Sequence, residues 1–215
     1  MKAVLISIQP KWCELIASGK KTVEVRKTKP KFEATFKCYI YCTSSNVHEC
    51  LMQNEGGVTL IYACNYKTAI PIGGNISNGK VIGEFMCRDI TEYEGEFWDD
   101  ETQETIKKVI HTTDSDGYPE LDYSFIAENG KENSLCKSSC LTWEELRNYI
   151  GQGINTFYGW HISDLVIYDK PKELSEFRSY NVKASIDESG YPMPTHEITR
   201  PPQSWCYVEE LEGKG

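Results

Sequence analysis

The chemically most informative stretch of the sequence runs from Gly19 to Arg26 and places two cations and one carboxylate close together. Lys21 and Arg26 can bind phosphate oxygens, and arginine can do so with two parallel hydrogen bonds. Glu24 can accept a hydrogen bond from a base amino group, orient the arginine, or act as a general base. On an open surface the same residues would form an ordinary ion pair worth less than about 1 kcal/mol. A binding role therefore requires that the fold place them in a cleft.

A strand, a short helix and a second strand are predicted to position this stretch. Residues 1–8 are apolar and β-branched, which is typical of a buried strand. Pro10 suits the first turn of a helix, and Gly19 suits its left-handed C-terminal cap. Polar and apolar residues alternate over 22–26, which predicts a half-buried strand. The cleft-facing side of this strand would carry Thr22, Glu24 and Arg26.

The rest of the chain is predicted to contain short strands and two further helices. Strands are expected over 36–42, 80–90 and 160–168, with an edge strand at 207–208 and a short helix over 99–111. The clearest helix begins at Thr142, because Thr142 and Glu145 form a capping box, and it ends near Gly151. These elements indicate an α+β fold, a small mixed barrel rather than a parallel α/β sheet.

The stretch resembles the signature of the ASCH superfamily, G-x-K-x-x-E-x-R, whose fixed positions are filled by Gly19, Lys21, Glu24 and Arg26. Ser7–Trp12 and Leu15–Ser18 resemble the family's opening strand and helix. The later blocks are similar to bacterial and phage-encoded members, namely Gly159–Leu165, Lys170–Leu174 and Pro201–Cys206. The resemblance covers residues 1–42, 80–90 and 141–207. It implies a PUA-like β-barrel over 1–178 with two or three flanking helices and surface insertions at about 43–79 and 92–140. Residues 179–215 would form a C-terminal extension that packs on the barrel.

The resemblance also implies a cleft that binds RNA or a nucleotide, and this is the leading hypothesis. The expected ligand-binding residues are Gly19, Lys20, Lys21, Glu24, Arg26, Ser7, Lys11, Trp12, Trp160 and His161. Trp160 or Trp12 would stack on a base, and His161 would bond a phosphate or move a proton. Because residues alternate along a strand, Trp160 and His161 face opposite sides, so one of them at most points into a cleft. The alternatives are core packing for both tryptophans and a hydrogen-bonded edge position for His161.

A hydrolase acting on modified nucleosides or RNA is the rival hypothesis, with Lys21 and Glu24 as the catalytic pair. One branch of the family resembles an amidohydrolase of acylated cytidine that uses a lysine and a threonine nucleophile in this loop. Lys21 matches that lysine, but Glu24 stands where the threonine is expected, and Thr22 lies two residues away. Other members resemble ribonucleases, for which cations near a phosphate and a carboxylate base would suffice.

Charge is distributed unevenly along the chain. The net charge of −9 argues against a general, sequence-blind nucleic-acid coat. Residues 1–37, however, hold nine basic and three acidic residues, whereas the remainder holds 14 basic and 29 acidic residues. The basic N-terminal part suits a short phosphate-bearing ligand, or it is simply a solvated lysine face. A third possibility is a protein-interaction role for the acidic insertions.

The nine cysteines are expected to be reduced thiols of a cytoplasmic protein, because no secretion signal is recognisable. Cys38 with Cys42, and Cys136 with Cys140, form C-x3-C pairs, but buried thiols are favoured over a metal site. No apolar run of about 18 residues predicts a membrane span. We expect no metal and no cofactor, and the sequence leaves the oligomeric state open.

Overall fold

The computed structural model describes residues 3–31, 35–44, 48–55, 58–65, 75–76, 79–97, 104–128, 133–180 and 195–211, with backbone alone between 48 and 76. The chain divides into two compact units. The first unit comprises Met1–Gly19, Thr35–Cys87 and Ser163–Gly215, and the second comprises Lys20–Ala34 and Arg88–Ile162. None of the helices in the described ranges is long and apolar enough to cross a membrane.

The elements of the described chain are, in order, β1 (Ala3–Ile8), α1 (Pro10–Ala17), β2 (Val23–Arg26), β3 (Phe36–Cys42), β4 (His48–Glu55), β5 (Val58–Asn65), β6 (Asn75–Ile76), β7 (Lys80–Phe97), β8 (Thr105–Thr113), β9 (Pro119–Glu128), α2 (Ser134–Ser139), α3 (Trp143–Ile150), β10 (Gly153–Lys172), β11 (Arg178–Ser179), β12 (His196–Glu197) and β13 (Trp205–Val208). A 3-10 turn spans Leu174–Glu176. The long strands β7 and β10 each contribute residues to both units.

The first unit is built around β1, whose six residues are all buried. β1 runs parallel to β3 and antiparallel to β13, and the sheet continues in the order β12-β11-β13-β1-β3-β7-β10. A central strand covered on both faces is nearly all apolar, which explains the five apolar residues of β1; the remaining residue, Ser7, is buried with its hydroxyl hydrogen-bonded. One face packs in a core formed by Ala3, Leu5, Tyr39, Tyr41, Val81, Phe177, Ile198 and Val208. A separate sheet of β4, β5 and β6 has the order β5-β4-β6.

The second unit pairs its strands in the order β9-β8-β7-β10-β2. Helices α2 and α3 contribute to its core, which contains Val23, Val25, Tyr93, Phe97, Ile106, Leu135, Cys136, Leu146, Ile150 and Phe157. β8 and β9 form a hairpin whose turn is held by Asp114. The Asp114 carboxylate accepts hydrogen bonds from the backbone N–H groups of Asp116 and Tyr118.

The predicted α+β class is confirmed at the level of a mostly sheet structure with three α-helices in the described chain. The barrel is not confirmed, because the strand pairing of the described residues is an open path in both units. The expected domain and insertion boundaries stay predictions. Short-strand patterns in the sequence do not distinguish an open mixed sheet from a closed one, because they do not specify which strands pair.

Several predicted elements are confirmed, and others are wrong. β1 and β3 lie where expected, Gly19 adopts φ +72° after α1, and the capping box at the start of α3 is present. The helix predicted over 99–111 is wrong: residues 104–111 lead into and form most of β8, while 99–103 lie outside the described residues. The strand predicted at 207–208 is present as part of β13, but its predicted edge position is wrong, since β13 lies between β1 and β11.

Candidate functional site

The signature stretch enters the second unit as strand β2, which is held by backbone hydrogen bonds. β2 pairs antiparallel with β10, so that Glu24 lies opposite Trp160 and Val23 lies opposite His161. The N–H of Thr22 donates to the carbonyl of Ser138 at 2.8 Å, at the end of α2. The sheet and α2 therefore fix β2 at both its side and its beginning.

Gly159 allows β2 and β10 to approach closely. A Cβ at this position would lie 2.9 Å from Cγ1 of Val23 and 3.0 Å from Cε2 of Tyr93. Distances that short force a neighbour to move. The glycine in the Gly159–Leu165 block thus has a packing reason in this fold.

Lys21, Glu24 and Arg26 form a buried cluster, which we call the signature triad. The Lys21 Nζ atom lies 3.2 Å from Glu24 Oε2, and Arg26 Nη2 lies 2.9 Å from Glu24 Oε1. The three residues are 2%, 7% and 7% exposed. Two buried cations share one carboxylate, so the cluster carries a net charge of +1. The strand itself is present, but the prediction that it is half-buried is wrong, because all four residues of β2 are buried.

Lys21 has a second acceptor in the backbone. Its ammonium donates to the carbonyl oxygen of Ser139 at 2.6 Å. Ser139 is the last residue of α2, where carbonyl groups lack partners within the helix and carry partial negative charge. This contact adds to Glu24 in compensating the lysine for its loss of water.

Tyr149 of α3 connects the triad to the surface. Its hydroxyl is hydrogen-bonded to the Arg26 side chain and to the backbone of Lys27. Burial of the hydroxyl raises the pKa of Tyr149, and the positive charge of Arg26 acts in the opposite direction. The residue as a whole is 38% exposed. Tyr149 thus has its polar end on the buried arginine and part of its ring in solvent.

The residues after β2 are exposed lysines that approach tyrosine rings. Lys27 Nζ lies 5.6 Å from the centre of the Tyr149 ring, and Lys29 Nζ lies 4.8 Å from that of Tyr158. Lys29 also pairs with Glu92 at 2.7 Å. We call Lys27, Lys29, Tyr149 and Tyr158 the lysine–tyrosine surface. Lys20 and Lys31 are exposed as well.

Trp160 and His161 face opposite sides of β10, as the alternation indicates. Trp160 is fully buried, which corresponds to the core-packing alternative. His161 is partly exposed, and its Nε2 atom lies 2.8 Å from the Thr91 hydroxyl and 3.7 Å from an Asp89 carboxylate oxygen. Thr91 is in turn hydrogen-bonded to Tyr93. His161 therefore belongs to a polar chain on the side of the sheet away from Glu24.

The other predicted site residues belong to the first unit. Ser7 is buried, and its hydroxyl donates to the carbonyl of Pro202 at 2.6 Å. Lys11 is exposed, and its Nζ atom lies 4.3 Å from the ring centre of the half-buried Trp12. Gly19 closes α1 through a hydrogen bond from its N–H to the carbonyl of Ile16. Each of these four residues makes its contact within the first unit.

Sequence reasoning did not identify Ser139, Tyr149 or Tyr158. Tyr149 follows Leu146 by three residues on α3, a spacing that indicates core packing rather than a site. Tyr158 shares a strand face with Trp160, and this was the one available signal. Nothing in the sequence links Ser139 to Lys21, because the contact uses a backbone carbonyl 118 residues away.

The two cysteine pairs are placed differently. Cys38 and Cys42 are both buried in β3, and Cys136 accepts a hydrogen bond from the Asn133 side chain. In the part of the chain that the structure describes, no group of three His, Cys, Asp or Glu side chains is arranged to hold a metal ion.

Comparison with known proteins supports one family. The family model described as ASCH domain matches residues 6–137. The chain is similar to a crystal structure of ASCH from Zymomonas mobilis, with 16% identity, 97% of this chain and 89% of that chain covered, and a TM-score of 0.43. The chain is also similar to the crystal structure of a mutant of that Zymomonas mobilis protein, with 16% identity, 98% of this chain and 92% of that chain covered, and a TM-score of 0.44. No curated protein matches the chain. Because the ASCH model matches more than half of the sequence, this chain belongs to the ASCH domain family.

Proposed function

We propose that this protein binds single-stranded RNA or a nucleotide at the signature, with the lysine–tyrosine surface making the outer contacts. The family is generally linked to RNA binding. The observation that carries the proposal is the signature triad, two cations on one carboxylate, with Tyr149 connecting it to exposed Lys27. Exposed cations beside aromatic rings are the side chains that proteins use to bind single strands, and the buried triad adds positive charge beneath them.

Each residue of the surface has a distinct role in this proposal. Lys27 and Lys29 contact phosphates, because they are exposed. Tyr149 and Tyr158 offer ring faces to bases, and such stacking is tolerant of base identity. Glu24 orients Arg26 at 2.9 Å, and the pair keeps β2 and Tyr149 in place. Lys21 and Arg26 are 2% and 7% exposed, so in this proposal they act through their positive potential beneath the surface.

The charge distribution sets the size of the ligand. The chain outside residues 1–37 carries a net charge of −15, which repels a long polyanion. A ligand of a few nucleotides can stay on the basic part of the second unit. We therefore expect binding that weakens steeply with salt and gains little from added RNA length.

The experiment is fluorescence anisotropy with a labelled eight-nucleotide RNA of mixed sequence at several salt concentrations. The test variant is Lys27→Ser/Lys29→Ser. Each phosphate contact to a single strand contributes about 0.7 to the slope of log affinity against log salt. The variant should therefore bind at least tenfold more weakly at low salt, with a slope flatter by about 1.4 if both lysines contact phosphate.

The matched control is Lys108→Ser/Lys170→Ser, which removes two exposed lysines elsewhere and gives the same net charge. It should retain at least a third of the wild-type affinity. Equal weakening in both variants would mean that binding depends on net charge alone, and the proposed surface would be wrong. Unchanged binding in the Lys27→Ser/Lys29→Ser variant would have the same consequence.

A hydrolase acting on modified nucleosides or RNA is the second candidate. It is favoured by the contact of the Lys21 ammonium with Glu24 at 3.2 Å, since such a pair can exchange a proton with a substrate. Acylated cytidine and labelled RNA are the substrates to incubate with wild type and Glu24→Gln. Turnover that disappears in Glu24→Gln, while RNA affinity persists, supports this candidate. Absence of turnover, or turnover insensitive to Glu24→Gln, removes it.

A further inference from the structure

The β8–β9 hairpin exposes an apolar stripe on the second unit. Leu121, Tyr123 and Phe125 are 51%, 43% and 58% exposed. They occupy alternate positions of β9 and so share one face of the strand. Tyr118, just before the strand, is 70% exposed. Neighbouring apolar side chains exposed to this extent mark an interaction site more often than a neutral surface. We call Leu121, Tyr123 and Phe125 the hairpin stripe.

The strand that carries the stripe is an edge strand. In the described part of the chain, β9 pairs with β8 and with no other strand. The N–H of Tyr123 is hydrogen-bonded by the side chain of its own neighbour, since the Asp122 carboxylate accepts it at 2.7 Å. Such local covering of an edge donor is one way in which proteins restrain strand addition. The hydrogen bond between the Tyr123 N–H and the Asp122 carboxylate is reversible, because a backbone carbonyl of another strand can replace the carboxylate as acceptor.

The charges around the stripe are mainly negative. The described hairpin region 104–128 contains six acids and two lysines. One of these lysines, Lys107, is paired with Glu96 at 2.8 Å. The acidic residues are Glu104, Asp114, Asp116, Glu120, Asp122 and Glu128, of which Glu104 is paired with Arg147 at 2.7 Å. Glu120 and Asp122 alternate with the stripe and so lie on the other face of β9, where they favour basic side chains of a partner. Lys107 lies opposite Phe125, on the face of the stripe.

We propose that β9 binds an extended peptide segment of alternating basic and apolar residues, which adds to the hairpin as a further strand. The apolar side chains of the segment pack on the hairpin stripe. A backbone carbonyl of the segment replaces the Asp122 carboxylate as the acceptor of the Tyr123 N–H. The displaced Asp122 carboxylate then pairs with a basic side chain of the segment. Strand addition of this kind obtains affinity from the backbone and specificity from alternate side chains. This site is separate from the lysine–tyrosine surface and goes beyond the proposed function.

The test uses an acetylated seven-residue peptide of alternating lysine and valine with lysine at both ends. Its binding to the wild-type chain is followed by calorimetry and by amide resonances in NMR spectra. We expect saturable binding, with the largest shifts at the backbone of β9. The Leu121→Ser/Phe125→Ser variant should bind at least tenfold more weakly. The same loss is expected for wild type when the peptide is N-methylated at alternate residues along its hydrogen-bonding edge.

The control variant is Ile154→Ser/Val166→Ser, which removes two other exposed apolar side chains. It should bind the peptide as wild type does. The N-methylated peptide tests the idea without any variant that has to fold. No saturation at millimolar peptide, or equal affinity of both serine variants, would overturn the proposal.

Two other occupants are separate outcomes that would also overturn it. If a second copy of the chain covers β9, sedimentation will show a wild-type dimer that Leu121→Ser/Phe125→Ser converts to a monomer. If the stripe stacks on RNA bases, the eight-nucleotide RNA will lose affinity in that same variant while the peptide fails to bind.

Discussion

The buried signature triad makes a quantitative prediction for Glu24→Gln. The substitution keeps the shape of the side chain but removes the charge that both cations share, at 3.2 Å and 2.9 Å. The side chains of Lys21 and Arg26 are 2% and 8% exposed, so solvent compensates them poorly. Breaking a buried pair by removing one partner typically costs about 3–5 kcal/mol. A domain of this size is stable by about 5–15 kcal/mol, so the loss is a large fraction.

The assay is urea unfolding followed by circular dichroism, analysed for both the midpoint and the slope. The matched control is Glu92→Gln, which breaks the ion pair with Lys29, whose side chain is 44% exposed. That change should lower the free energy of unfolding by less than about 1 kcal/mol. The double variant Lys21→Met/Glu24→Gln should be less destabilised than the two single changes added together, because one uncompensated cation is removed. A loss below about 1 kcal/mol for Glu24→Gln would refute the buried triad.

Three further predictions concern stability. Gly83→Ala makes the new Cβ clash with the carbonyl oxygen of Val166, so the melting temperature should fall by several degrees, as measured by calorimetry. Thr142→Ala removes the capping box with Glu145 and should cost about 1 kcal/mol in urea unfolding, while Thr142→Ser restores most of it. Burial raises the pKa of Cys206 to about 11 from an ordinary value near 9, so the unfolded chain loses this proton first as the pH rises. The contribution of Cys206 to stability is therefore complete below pH 9 and lost towards pH 11. Wild type should lose more free energy of unfolding over this interval than Cys206→Ser, as measured by urea unfolding at each pH. An equal loss in the two proteins would contradict this.

The sequence predicted the local elements whose causes are local. A short apolar run interrupted by Ser7 alone identified β1, and the capping box identified the start of α3. Gly19 was identified as a cap because glycine adopts the left-handed conformation readily. The structure gives it φ +72°. The spacing of Lys21, Glu24 and Arg26 indicated that their charges interact, which the distances in the structure bear out.

The remainder depends on contacts distant in sequence. The burial of Lys21 and β2 could not be predicted, because Lys21 contacts α2 and Arg26 contacts α3, both more than 100 positions away in the sequence. A helix was expected over 99–111, but the β-branched residues between Thr105 and Thr113 favour a strand. Pairing with β7 and β9 stabilises that strand as β8. The open path of the sheet likewise depends on pairing that short apolar patterns do not specify.

The most direct test of the central claim is an NMR titration of the full chain with the eight-nucleotide RNA. If the signature and the lysine–tyrosine surface bind the ligand, the largest amide shifts will occur over residues 20–31 and at Tyr149 and Tyr158. Shifts confined to the β8–β9 hairpin or to the first unit, or no shifts at millimolar RNA, would contradict the account.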